Sequence, residues 1–158
     1  MTLCRLFQIR NMAKKEQKAD FCDLTFKSAI VDSIEANIAV LDPTGEILAV
    51  NLSWQNFADA NNMHSDALMG IGANYLEVCR SASADPNARA ALEGIVDVMK
   101  GRRLFFYHEY PCHSPAEQRW FALRATPLID YPKFVVVSHE NITERISAGL
   151  ASRRSPEN

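Results

Sequence analysis

Apolar and polar residues along this chain follow two different rhythms, one of period four and one of period two, and the chain switches between them twice. Phe26, Ile30 and Ile34 recur at every fourth position from Thr25, a narrow apolar stripe that predicts a short amphipathic helix lying on another surface. Two β-prone runs follow at 37–41 and 46–50, separated by Asp42-Pro43-Thr44-Gly45. The proline there fixes φ and the glycine accepts a positive one, so a β-hairpin is expected. Asn51 stands where its side chain can cap a following helix, in which Trp54, Phe57 and Ala58 fall at helical spacing. Beyond the Gly70 and Gly72 loop, Asn74 can cap a short helix carrying Tyr75, Leu76 and Cys79, and Asp85-Pro86 opens a longer one that Gly101 ends. Ala88, Leu92, Ile95 and Met99 are expected to form that longer helix's apolar face. Period-two runs return at 104–112, 118–128 and 134–139, with His113-Ser114-Pro115-Ala116-Glu117 as a turn between the first two, and from Thr143 the pattern is helical again.

Strands at both ends of a helical middle predict an α+β domain, one antiparallel sheet packing its inner face against helices. A length of 158 residues holds one such domain and not two. Residues 1–22 are expected to be a flexible or helical leader, 23–145 the domain, and 146–158 a helix remnant with a disordered tail; Met12 offers a second possible start. Hydrophobic residues at 47%, charged residues at 23% and a net charge of −2 describe a globular chain without the basic field that nucleic acid requires. No apolar run approaches the ~20 residues of a membrane helix, and the first residues lack the pattern of a secretory signal. Cys4, Cys22, Cys79 and Cys112 are scattered, as reduced cytoplasmic thiols are, and do not pair like metal ligands.

Catalytic chemistry finds little support. A nucleophilic thiol needs a neighbouring base, yet Cys112 and His113 are adjacent, and adjacent residues in a strand point to opposite faces. No carboxylate pair is brought together by spacing alone, so no catalytic residue is assigned and no enzyme is expected.

Several segments in order carry a resemblance. Residues 33–42 (Ser-Ile-Glu-Ala-Asn-Ile-Ala-Val-Leu-Asp) with Gly45 and Val50-Asn51 resemble the opening of bacterial PAS domains. Glu140-Asn141-Ile142-Thr143-Glu144-Arg145 resembles the end of their closing strand and the signalling helix. Gly72-Ala73-Asn74-Tyr75-Leu76, residues 109–115, Arg119-Trp120-Phe121 and Thr126-Pro127-Leu128 are similar to PAS modules of sensor histidine kinases and related proteins of two-component systems.

The resemblance implies a five-stranded antiparallel sheet of order 2-1-5-4-3 cradling its helices around a small ligand cavity. It turns Phe106, His108 and Tyr110, then Phe121, Leu123 and Ala125, then Val135, Val137 and His139 inward on the last three strands. With Phe57, Tyr75, Ile95 and Met99 from the helices, the residues Phe106, His108, Phe121, Leu123, Val137 and His139 make the expected ligand-binding set. The two histidines border a polar ligand on one reading and are hydrogen-bonded in a filled core on the other. A covalent flavin adduct is not expected, because Tyr75 stands where light-sensing relatives carry a cysteine. Haem on the long helix is not expected either, because no histidine lies within 88–100, and His64 reads as a loop residue. Asn141 replaces the usual aspartate of the closing motif and removes a charge that would anchor the last helix. On the outer face Ile38, Val40, Phe105, Tyr107, Trp120, Phe134 and Val136, together with the Phe26, Ile30 and Ile34 stripe, form the expected homodimer contact. The function implied is a sensory and protein-interaction module; the alternatives are a structural dimerisation domain without a ligand and a fragment of a sensor kinase.

Overall fold

The computed structural model describes residues 24–61 and 69–154, so the leader 1–22, Met12, His64 and the end of the tail lie outside the described residues. The chain divides into two compact units, 1–34 and 35–158. In the first, helix α1 spans Leu24–Asp32 and buries none of its residues. It stops at Ser33, whose hydroxyl (2.7 Å) and amide (3.0 Å) both donate to the Ala29 carbonyl. Ile34, expected on the helical stripe, therefore lies beyond the helix.

The second unit runs β1 (Asn37–Leu41), β2 (Ile47–Val50), α2 (Leu52–Ala60), α3 (Tyr75–Ser81), α4 (Pro86–Met99), β3 (Phe106–Pro111), β4 (Trp120–Leu128), β5 (Tyr131–Asn141) and α5 (Thr143–Arg154). Its strands form one antiparallel sheet of five, ordered β2-β1-β5-β4-β3, the order that the resemblance implies. The caps fall where the sequence puts them. Asn51 Oδ1 accepts from the amides of Trp54 (3.1 Å) and Ile38 (2.9 Å), and its Nδ2 donates to the Ala36 carbonyl (2.9 Å). One buried amide thus caps α2 and fixes the entry to β1. In the first hairpin Gly45 has φ +91°, and a Cβ there would fall 2.5 Å from Leu76 Cγ on α3, so both the turn and the packing exclude a side chain.

The face of α4 differs from the expected one. Its buried residues are Ala91, Gly94, Ile95 and Val98, while Ala88, Leu92 and Met99 flank them half-buried. The cause is Gly94. Without a side chain it lets the Phe106 ring pack against the helix, where an added Cβ would lie 2.3 Å from Phe106 Cδ2. At Gly94 the helix thus comes close against Phe106 of β3.

The last helix is anchored without the aspartate. Asn141 Oδ1 accepts from the amide (3.0 Å) and hydroxyl (2.6 Å) of Thr143, and Thr143 Oγ1 accepts from the Trp120 amide (3.0 Å). Arg145 then donates to Glu109 Oε1 (2.7 Å) and to the Tyr107 hydroxyl (3.0 Å) on β3. The hydrogen bond from Tyr107 and the charge of Arg145 hold the Glu109 carboxyl below its ordinary range. Among the described residues no helix is long and apolar enough to cross a membrane.

Candidate functional site: paired cavities over the sheet

The ladder sets His108 of β3 opposite Leu123 of β4, and Leu123 opposite His139 of β5. Both histidines thus stand at one level on the inner face with a leucine between them. Inner-face alternation also stacks Phe106, His108 and Tyr110 along β3, with ring planes within 19° and 7° of their neighbours.

His139 is gripped from two sides. Its Nε2 lies 3.0 Å from the Tyr75 hydroxyl, which comes from the first turn of α3, and its Nδ1 lies 2.6 Å from the Tyr110 hydroxyl of β3. Trp54 packs 5.7 Å away, centroid to centroid. Part of the His139 residue reaches solvent, but its ring sits among these aromatics, and burial lowers its pKa to about 4. At neutral pH the imidazole is uncharged, so one ring nitrogen donates and the other accepts. Burial also raises the Tyr75 and Tyr110 hydroxyls above their ordinary value and pushes the Cys79 thiol up to about 11. The whole cluster is neutral, and Cys79 is a thiol rather than a nucleophilic thiolate.

His108 is held separately. Asn87 Nδ2 donates to Asp85 Oδ1 (3.1 Å), which orients the amide so that Asn87 Oδ1, 3.0 Å away, accepts from His108 Nε2.

Two cavities open on either side of the Tyr75–His139–Tyr110 cluster. The first, of about 190 Å³, lies toward α4 between Asn87, His108 and Leu123. The second, of about 220 Å³, lies toward α2 between Trp54, Phe57, Met69 and Phe121. Tyr75, Tyr110 and His139 belong to both walls, as do Val78 and Cys79. Residues 31–147 of this chain match the family of the PAS fold. The chain belongs to the PAS family.

An uncharacterized 104.1 kDa protein of Rhodobacter capsulatus is 35% identical over 146 residues, which is 87% of this chain and 15% of that protein. The chain therefore spans about 15% of the length of that relative. Among solved structures, the PAS domain of Bordetella pertussis BvgS matches at TM-score 0.55 and 20% identity, covering 82% of this chain and 93% of that one. The PAS domain of a Colwellia psychrerythraea protein matches at 0.53 and 14%, covering 77% and 98%. The phage VqmA–DPO complex matches at 0.52 and 16%, covering 89% of this chain and 64% of that one. These likenesses show the fold.

Within this PAS domain the expected ligand-binding residues separate into two groups. Phe57, Tyr75, His108, Phe121, Leu123 and His139 line the cavities. Ile95 and Val137 instead fill the solvent-free core, Phe106 plugs the gap over Gly94, and Met99 borders a surface depression with Lys100 and Lys133. Tyr110 joins the cavity group: alternation turns it inward, but its bond to His139 spans a strand that the sequence does not show. Cys112 borders the second cavity, whereas the ring of His113 packs edge-on against Trp120, 6.0 Å away. The two do not form a dyad. The expected outer-face residues Ile38, Val40, Trp120, Phe134 and Val136 are half-buried, and Phe105 and Tyr107 are exposed on either side of Arg124, whose guanidinium lies 5.7 and 5.8 Å from their rings.

Proposed function

We propose that this PAS domain is a sensor that takes up a small molecule in the paired cavities and passes the change to a signalling partner through β3 and α5. The family is generally a sensory, non-enzymatic one, and the neutral cluster around His139 supports a binding role over a catalytic one. One observation carries the reading. Strand β3 presents His108 and Tyr110 to the cavities and, on its other face, Tyr107 and Glu109 to Arg145 of α5. A ligand that displaces the inner side chains moves the outer anchor with them, because alternate residues of a strand share one backbone. β3 is also an edge strand of the sheet, with a neighbour on one side alone to resist such movement.

We place this module in the cytoplasm, in two-component signalling, acting as a homodimer through the outer face of its sheet. The exposed Phe105 and Tyr107 support that contact. Mass spectrometry of the purified full chain under native and denaturing conditions tests the ligand. The reading predicts a small mass that the folded protein retains and the denatured one releases. A native mass equal to that of the bare chain, with no change in melting across a panel of metabolites, would contradict it.

A further inference from the structure

Each cavity's own chemistry limits what it can hold. Among the described residues no lysine or arginine lines either one. The one carboxylate on their walls, Asp85, is engaged at the start of α4, where its Oδ1 accepts from the Asn87 amide (2.8 Å) and side chain (3.1 Å). An anion would lose its hydration there and gain no counter-charge, and a cation would meet only a carboxylate already committed to the start of α4.

Shape narrows the class further. The near-parallel His108 and Tyr110 rings, with Phe121 tilted 27° from Tyr110, make flat walls. Flat walls suit planar rings. An apolar cavity of about 150 Å³ is enough to hold benzene, so the observed 190 and 220 Å³ admit one or two fused rings.

Hydrogen-bond accounting then selects the polar contact. A tyrosine hydroxyl has one donor and two acceptor sites. The Tyr75 hydroxyl is bonded to His139 Nε2, and the residue is buried at 5% exposure. Tyr110 is bonded among the described residues to His139 Nδ1 and to nothing further, yet it lies on both cavity walls. In one tautomer of neutral His139 the Tyr110 hydroxyl donates to Nδ1 and keeps its lone pairs free. In the other, Nδ1–H donates to Tyr110 and its O–H is free. Tyr110 can therefore meet either a donor or an acceptor.

We propose that the ligand is an uncharged, flat compound of one or two fused rings whose edge hydrogen-bonds the Tyr110 hydroxyl. This rests on the cavity reading above and gives it a chemical class. Calorimetric titration of the full chain with four matched probes tests it: indole (a donor edge), benzofuran (an acceptor edge), indene (neither) and indole-2-carboxylate (an anion). Indole and benzofuran are expected to bind about tenfold more tightly than indene, the worth of one hydrogen bond, and the carboxylate not measurably. Tyr110→Phe is expected to bring indole down to the level of indene and to leave indene unchanged. Equal affinities of indene and indole, binding of the carboxylate, or unchanged indole affinity in folded Tyr110→Phe overturns the ligand class while leaving the cavity reading intact. No binding by any probe, indene included, overturns the cavity reading itself. If Tyr110→Phe does not fold, the order of the four probes on the parent chain decides alone.

Discussion

His139 shows what burial does to a single side chain, and the effect is measurable. In the unfolded chain its imidazole takes a proton near pH 6.5, whereas in the folded protein it does so at about 4. Between those values the unfolded state binds the extra proton, so stability is full above pH 6.5 and declines as pH falls toward 4. The shift corresponds to about 3 kcal/mol at most. Urea unfolding of the parent and of His139→Gln, which keeps hydrogen-bonding groups but does not titrate, should diverge by up to that amount between pH 7 and pH 4. Parallel pH profiles would show that the ring is not buried as described. The sequence pointed to an inward His139 through alternation and resemblance. It did not reveal the cluster, because Tyr75 is 64 residues away and Tyr110 is 29, and their meeting depends on how α3 lies over the sheet.

Elements were legible where local chemistry decides them. Asn51, Asn74 and Asp85 cap the helices they were expected to cap, and Gly45 and Gly101 take the positive φ expected of a turn and a helix end. The face of α4 was not legible, since apolar periodicity weights large residues and the deciding one is the absent side chain of Gly94. Strand alternation sorted the two faces of the sheet correctly, with Phe121, Leu123 and Ala125 buried inward and Phe105 and Tyr107 exposed outward. That outer face carries the dimer proposal. Light scattering at tens of micromolar should give a dimer for the parent and a monomer for Trp120→Glu, which puts a charge amid the proposed contact. A monomeric parent, or a folded variant that stays dimeric, would dismiss this interface.

For the unit of residues 35–158 as a whole, the order of elements pointed to one antiparallel sheet against helices, the family resemblance implied its strand order, and the sheet observed has that order. The cavities were beyond the sequence in detail. A void is defined by where side chains fail to meet, and Ile95, Phe106 and Val137, apolar and inward like the lining residues, close up against one another's neighbours instead of bordering it. What the unit joins together is a neutral polar cluster between two cavities and an edge strand that reaches the last helix. Residue-resolved NMR of the full chain during titration with indole tests that union most directly. The account predicts the largest shifts at Tyr75, Tyr110 and His139, followed by shifts along 106–111 that continue to Arg145. Shifts confined to surface residues, or a saturated cavity that leaves the backbone of β3 and the start of α5 unmoved, would contradict it.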